Sequence, residues 1–474
     1  MSITENAENI NDMERNIFSF CCALGREMMK TALESYDEQL RGEREYKKYR
    51  NKGARKTVMK TVMGEVEFSR AVYETRDENG RKAYVYLLDE AIGRTGSGFY
   101  SGLLSEEITR ACCDNSYRNA ARSVSSLTGQ TLSHTAAWNL VQNLGERVEA
   151  KEQEEAILAA KNQSTGKLET KLLFEEQDGI WLKMQGKSRE KHGASYEMKL
   201  AIAYDGAKKT GKNRYELTNK VACANFEPVG KFQKRKEGVI AANYNVDEIE
   251  MRFLNGDGAS WIKNAVFDET VHFQLDVFHR NKAVFEYVRN PEMRKEIFNL
   301  LYSKNIDTLL EYLEALSNSV DDENERQNLA ILMSYFTNNK DGLVPCHRRG
   351  LNPPEPPEGK VYRRMGAMES NVFTIIGNRM KGRRACWSID GGNNLARLLC
   401  LKATHKLYDT LHNLTAVCLP ERYTEEIEVV FSASKVAKTE GKGYNGFRHA
   451  GAFPANLDYK WLRGMTAPFG LIEI

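Results

Sequence analysis

Between residues 171 and 280 the chain runs through five strand-like segments: KLLFEEQDGIWLKM, YEMKLAIAYDG, RYELTNKVACANF, MRFLNGDGASWIK and VHFQLDVFHR. A helical stretch separates the third from the fourth, a pattern that predicts a mixed α/β sheet and excludes an all-helical chain. From 281 to 345 the signal changes to helix alone (VFEYVRN, EMRKEIFNLLYSK, TLLEYLEALSNSV, ENERQNLAILMSYF), which reads as a helical insertion or a separate helical domain. A Pro-rich linker follows at 351–360, then GAMESNVFTIIGNRMKGRRACWS, a helix running into a basic loop.

Carboxylates interrupt these apolar segments. Asp178 lies inside the first strand, and Asp257 ends the fourth between Gly256 and Gly258, which allow a tight turn and a close approach of ligand. A carboxylate in such a place is costly to bury without a cation, so each asks for a metal or a basic partner. Glu369 opens the late helix and is followed by Arg379, Lys381, Arg383 and Arg384. Taken alone it fits a solvated helix-start glutamate. With the two aspartates it could complete an oxygen-ligand set for magnesium or manganese, the chemistry of in-line displacement at a phosphodiester. Asp276 and His279 form an Asp-x-x-His pair after the fifth strand, too few ligands for a closed zinc site and equally consistent with a local hydrogen bond. No GxxxxGK[ST] phosphate loop occurs, which argues against an ATP-driven enzyme.

The N-terminal third carries the charge asymmetry. Across 474 residues the net charge is only +3, but Arg41 to Lys60 holds nine basic and two acidic residues. That run, which includes Arg55 and Lys56, fits either a solvated linker or an arm contacting phosphates. A long helix over about 6–45 precedes it, and a β-hairpin around Asp77-Glu78-Asn79-Gly80 follows. Ser116 and Ser133 can cap two helices joined by a short turn at Gly129, the second ending at Gly145. This pair matches a helix-turn-helix, whose second helix would turn His134, Thr135, Asn139, Gln142 and Asn143 toward base edges; helical hairpins that bind nothing share the pattern.

Nine cysteines without a CxxC pair support neither a disulfide framework nor a structural zinc site. No stretch approaches the roughly 20 apolar residues of a membrane span, and the N-terminus lacks signal-peptide order, so a cytoplasmic protein without a membrane partner is expected.

The segments EEQDGIWLKMQG, KLAIAYDG, LNGDGASWIK, LDVFHRNKA, GLVPCHRR and MGAMESNVFTIIGNRMKGRRACWS resemble bacterial insertion-sequence transposases of the ISLre type, a DDE class related to Mutator-like transposases. RKTVMKTVMGEVEFSRAVYE and SYRNAA extend the likeness over nearly the whole chain. The resemblance implies an α/β, RNase H-like mixed sheet interrupted by a helical insertion before its last acidic residue, preceded by N-terminal helical/β and helix-turn-helix DNA-binding segments. It implies Asp178, Asp257 and Glu369 as the catalytic, metal-binding triad for two magnesium or manganese ions. The spacings of 79 and 112 residues fit one sheet only if the second gap holds an inserted domain. Asp276 and His279 match the Cys/Asp-x-x-His motif of Mutator-like and hAT-like transposases and are assigned a site-supporting role. Trp387 resembles the late tryptophan of the family, a base-stacking or a core residue.

The expected organisation is an N-terminal region (1–100), a helix-turn-helix domain (101–160), a first part of the catalytic core (165–280), the insertion (281–345), and the second part of the core with the C-terminal region (346–474). The expected activity is metal-dependent cleavage and strand transfer of double-stranded DNA at terminal inverted repeats, by a homo-oligomer on DNA, nucleoid-associated when bound. Arg55, Lys56, Asn139, Gln142, Arg379, Lys381, Arg383 and Arg384 are the DNA-binding candidates. A catalytically inactive transposase-derived DNA-binding protein and a metal-dependent nuclease are the alternatives.

Overall fold

The computed structural model describes residues 8–93, 100–163, 165–265, 269–382 and 384–415, which divide into two compact units, one of the described residues up to 141 with 408–415 and one of those within 142–407. Arg383 lies outside the described residues.

In the first unit, helix Ile10–Glu43 is capped by Asn9, whose side chain accepts the Asp12 N–H at 3.1 Å. Three antiparallel strands follow in the order β1 (Arg50–Thr61), β2 (Gly64–Arg76) and β3 (Lys82–Val85). Alternate apolar residues of β1 and β2, Met59, Val66 and Phe68, pack with Leu33 and Tyr36 of the helix and with Leu88. The expected turn at Asp77–Gly80 joins β2 to β3, but a second hairpin precedes it, because Val62 and Met63 turn the chain between Thr61 and Gly64.

The basic run is therefore neither a linker nor a free arm: its first residues end the long helix and residues 50–60 form strand β1. Part of its charge is answered across the ladder, Lys52 by Glu74 at 2.9 Å and Lys56 by Glu67 at 2.6 Å. Helices Gly102–Asp114 and Tyr117–Thr128 follow, with Ser116 capping the second and Gly129 closing it at φ 67°. Helix His134–Ala160 then runs through Gly145 instead of ending there. A Cβ on Gly145 would lie 2.5 Å from Cβ of Asn394, so this glycine is a site of close helix contact, not a terminator.

The second unit is built on β4 (Leu172–Lys183), β5 (Ser195–Tyr204), β8 (Val221–Asn225), β9 (Met251–Gly256) and β10 (Val271–Leu275), with a small ribbon of β6 (Ala207–Lys209) and β7 (Tyr215–Leu217) beside them. The spatial order is β10-β9-β4-β5-β8. Strands β4, β5 and β8 pair antiparallel, while β9 and β10 run parallel to β4. The third expected strand is two: Asn219, at φ 52°, separates β7 from β8. Helix Val229–Ala241 crosses from β8 to β9, placing Phe232 against Leu254, Trp261 and Ile262 on one face of the sheet.

Residues after β10 form four helices, Val277–Tyr287, Pro291–Ser303, Ile306–Ser319 and Glu323–Asn338. The last three are capped by Asn290, Asn305 and Asp322. Ile297, Leu301, Leu309, Leu313, Leu329 and Phe336 give them a core continuous with Leu275 at the end of β10. The chain returns through the irregular Pro-rich stretch to a helix over 368–380, whose middle, Val372–Gly377, is π-helical. Helix Ile389–Ala403 is buried along Leu395, Leu398 and Leu399 and packs on β8. Among the described residues no helix is long and apolar enough to cross a membrane.

Candidate active site

The parallel pairing of β4 with β9 puts Gln177 beside Gly256, so Asp178 and Asp257 lie next to each other just past the paired residues. Asp178, Asp257, Asp276, His279 and Glu369 all line one cleft of about 20 Å³, room for roughly one water-sized body. Chain segments far apart in sequence supply them: the middle of β4, the end of β9, the start of helix Val277–Tyr287, and the first turn of the 368–380 helix.

Each backbone anchor is visible. Asp178 accepts the N–H of Gly179 at 2.7 Å. Asp257 closes its own turn by accepting the Ala259 N–H at 2.9 Å, and its carbonyl accepts the Tyr335 hydroxyl at 2.8 Å from helix Glu323–Asn338. The inserted helices thus brace the second aspartate. Gly258 sits at φ +90°, and a Cβ there would fall 2.5 Å from Oδ1 of Asn339, so this turn needs glycine on both counts.

The Asp-x-x-His pair does two jobs. Asp276 is an N-cap, accepting the N–H of Phe278 at 2.8 Å and of His279 at 3.1 Å, while its other oxygen takes an Asn255 N–H at 2.6 Å. The helix so capped carries His279, whose Nε2 lies 3.9 Å from Oδ2 of Asp178.

Burial pushes the Asp178 carboxyl up to about 6, and the negative charges of Asp257 and Glu369 add to the rise against the pull of the Gly179 N–H and His279. Crowded oxygen donors short of positive charge suit a hard divalent cation. Among the described residues no group of three or more His, Cys, Asp or Glu side chains stands ready-made for a metal, so binding would have to draw these carboxylates together.

Beneath the cleft is a residue that sequence reasoning passed over. Glu176 is fully buried and accepts five hydrogen bonds. Two come from the Tyr204 hydroxyl at 2.7 Å and the Asn255 amide at 3.0 Å. Three come from the backbone N–H groups of Gly366, Ala367 and Met368, at 3.0, 3.1 and 3.2 Å. The last three are the donors that open the helix bearing Glu369, so Glu176 ties that helix to β4 two residues before Asp178. Its neighbour Glu175 points to the other face, where Lys236 at 2.6 Å and Arg252 at 2.5 Å hold its carboxyl below the usual range despite burial. The available signal was an acidic pair inside an apolar strand.

The DNA-binding candidates lie on separate elements. Arg55 and Lys56 are exposed on β1, and Asn139 is exposed on helix His134–Ala160 with His134, Thr135 and Asn143. Gln142 departs from the expected outward set: it is buried, and its amide oxygen accepts from Asn394 at 2.9 Å. Lys381 and Arg384 are exposed, while the half-buried Arg379 guanidinium lies 5.4 Å from the Trp387 ring centroid. Trp387 itself is buried and donates to the Met380 carbonyl at 2.8 Å, which makes it a core residue.

Similar proteins carry no activity in their names. A UPF0236 protein in the vanSb 3′ region of Streptococcus gallolyticus is 22% identical over 84% of this chain and 84% of its own. One from Caldanaerobacter subterraneus subsp. tengcongensis, whose name joins eleven locus designations, is 25% identical over 84% of this chain and 78% of its own. A second from that organism, whose name joins four, is 24% identical over 82% and 77%. The family profile of UPF0236, described as an uncharacterised protein family, matches residues 3–409, and the chain belongs to that family.

Proposed function

We propose that the protein is a DDE-type DNA transposase of the ISLre kind, with Asp178, Asp257 and Glu369 as its catalytic carboxylates on an RNase H-like core. The observation that carries this reading is the meeting of those three side chains at one cleft, across spacings of 79 and 112 residues. The sheet supports it. Three antiparallel strands, with two further strands parallel to the first, is the arrangement that an RNase H-like core requires, and the helical block falls between the fifth strand and the last acidic residue. Relatives whose names gather eleven and four loci in one strain fit a gene that multiplies by moving.

Magnesium or manganese, when bound, would supply the Lewis acidity that phosphodiester displacement needs. Asp178, Asp257 and Glu369 would hold it through carboxylate oxygens. His279 faces Oδ2 of Asp178 at 3.9 Å, Asp276 caps the helix that carries His279, and Glu176 holds the start of the helix that carries Glu369. Lys381 and Arg384 follow the 368–380 helix and would meet the phosphate backbone. The helices at 117–128 and 134–160 are assigned to the recognition of terminal inverted repeats, with Asn139 on the exposed side.

Sequencing the DNA that flanks the gene, then offering the full chain a labelled duplex of the flanking ends with manganese, tests the proposal. Joined products support transposition. Cleavage without joining would move the reading to a nuclease, and binding without cleavage to an inactive descendant.

A further inference from the structure

A second, larger cavity in the 142–407 unit, of about 790 Å³, is independent of the acidic cleft but shares a wall with it. Segment 366–371 is that wall: Gly366 borders both spaces, Glu369 faces the acidic cleft, and Ser370 and Asn371 face the larger cavity. The lining is cationic, with Lys220, Arg363, Arg364 and Lys406 against Glu216 as the single acidic residue among the described residues.

The two lysines are out of the ordinary. Each is only partly exposed, and burial draws each ammonium below its usual range. Neither ends on a carboxylate. Lys220 donates to the amide oxygen of Asn371 at 3.1 Å and Lys406 to that of Asn243. Among the described residues neither lies within ion-pairing distance of an acid, and Glu216 and Glu155 act on them only from further away. Two half-desolvated cations answered by neutral oxygens leave positive charge for an anion to meet. On the same lining, the Arg363 guanidinium stacks 4.0 Å from the Tyr215 ring centroid, a flat surface of the kind on which bases stack.

We propose that this cavity binds a nucleotide of a DNA strand, with its phosphate on Lys220 and Lys406 and its base against the Tyr215–Arg363 pair. The volume suits one or two nucleotides and falls within the usual range for ligand sites. Because Lys220 holds Asn371 in the helix of Glu369, a seated strand presses on the element that completes the acidic cleft. The inference shares with the proposed function only that the partner is DNA, and it needs no catalysis.

The test is fluorescence anisotropy of the full chain with a labelled twelve-nucleotide thymidine strand, with thymidine 5′-monophosphate as competitor. The Lys220→Met, Lys406→Met double variant is expected to bind the strand about tenfold more weakly, and its plot of log affinity against log salt to flatten by about one to two. Lys220→Arg should restore part of the loss. The exposed pair Arg363→Gln, Arg364→Gln gives a second reading that burial cannot confound and is expected to weaken binding several-fold. Competition by the monophosphate marks a free-nucleotide source, and its absence marks a strand. Loss of strand transfer in Asp178→Asn and loss of strand affinity in the lysine and arginine variants are separate readouts, so failure of the proposed function and failure of this site are distinguishable. Unchanged affinity and salt slope in both the lysine and the arginine variants would overturn the proposal.

Discussion

The buried carboxylate of Glu176 accepts the backbone N–H of Met368 at 3.2 Å, across 192 residues of chain. With the Gly366 and Ala367 bonds it forms a three-point clamp on the helix that presents Glu369. Every partner of Glu176 in the structure is a donor, and Gln would turn one acceptor oxygen into a competing N–H₂. Glu176→Gln is therefore expected to lower stability by about 2–4 kcal/mol in urea unfolding. It should also weaken manganese binding, which a purely structural role elsewhere in the core would leave alone. Unchanged manganese affinity in a folded Glu176→Gln protein would show that the clamp does not set Glu369.

Asp178 gives a pH dependence whose sign follows from its displaced carboxyl. The folded chain holds that proton up to about 6, while the unfolded chain releases it near the ordinary value of 3.8. Stability without metal therefore falls as pH rises between those two values, by up to about 3 kcal/mol from this group. Asp178→Asn should remove that fall and melt higher than the parent at pH 7.5 in chelator. Manganese should raise the parent's melting temperature at pH 7.5, do much less at pH 5, and do little to the variant. Scanning calorimetry at the two pH values measures all three.

Glu175 predicts the opposite slope. Lys236 and Arg252 keep its folded carboxyl low, so its contribution is present above the unfolded value of 4.5 and is lost as pH falls below it. Glu175→Gln removes the acid that Lys236 and Arg252 share and keeps their ion pairs with Glu237, at 2.8 and 2.9 Å. A loss of about 3 kcal/mol at pH 7, shrinking toward acid pH, is the expected denaturation result.

Gly258→Ala tests the turn that aims Asp257. A left-handed φ and a Cβ 2.5 Å from Asn339 both oppose it, and about 2 kcal/mol or more should be lost. Gly382→Ala has, among the described residues, only the Asn378 carbonyl, at 3.9 Å, near its added Cβ and should change stability by less than about 0.5 kcal/mol. Equal effects at the two positions would remove the steric argument.

Strand alternation and the acidic interruptions were legible in the sequence because they are local: β4, β5, β9 and β10 and the helical block all follow from period and composition. Asp178 and Asp257 stood out because a carboxylate among apolar strand residues is an anomaly at first reading. Glu176 did not, although it is the more deeply buried, because three of its five donors are backbone N–H groups some 190 residues away, and no spacing rule reaches them. The setting of the basic run was out of reach for a related reason. Its charge was counted along the chain, whereas residues 50–61 form a strand and Glu74 and Glu67 pair with Lys52 and Lys56 across the ladder. Gln142 shows the limit of helical-face reasoning, since the face buried by Asn394 is set by a helix 250 residues later. Gly145 was read as a stop where it permits a close contact with that same helix.

The most direct test of the account uses purified full chain, labelled DNA carrying the element ends, a target plasmid and manganese. Asp257→Asn keeps the turn's acceptor oxygen but removes the charge the cleft requires. The account predicts joined products with the parent, none with Asp257→Asn or in chelator, and the same affinity of both proteins for the end DNA. Joined products from Asp257→Asn at the parent's rate would contradict it.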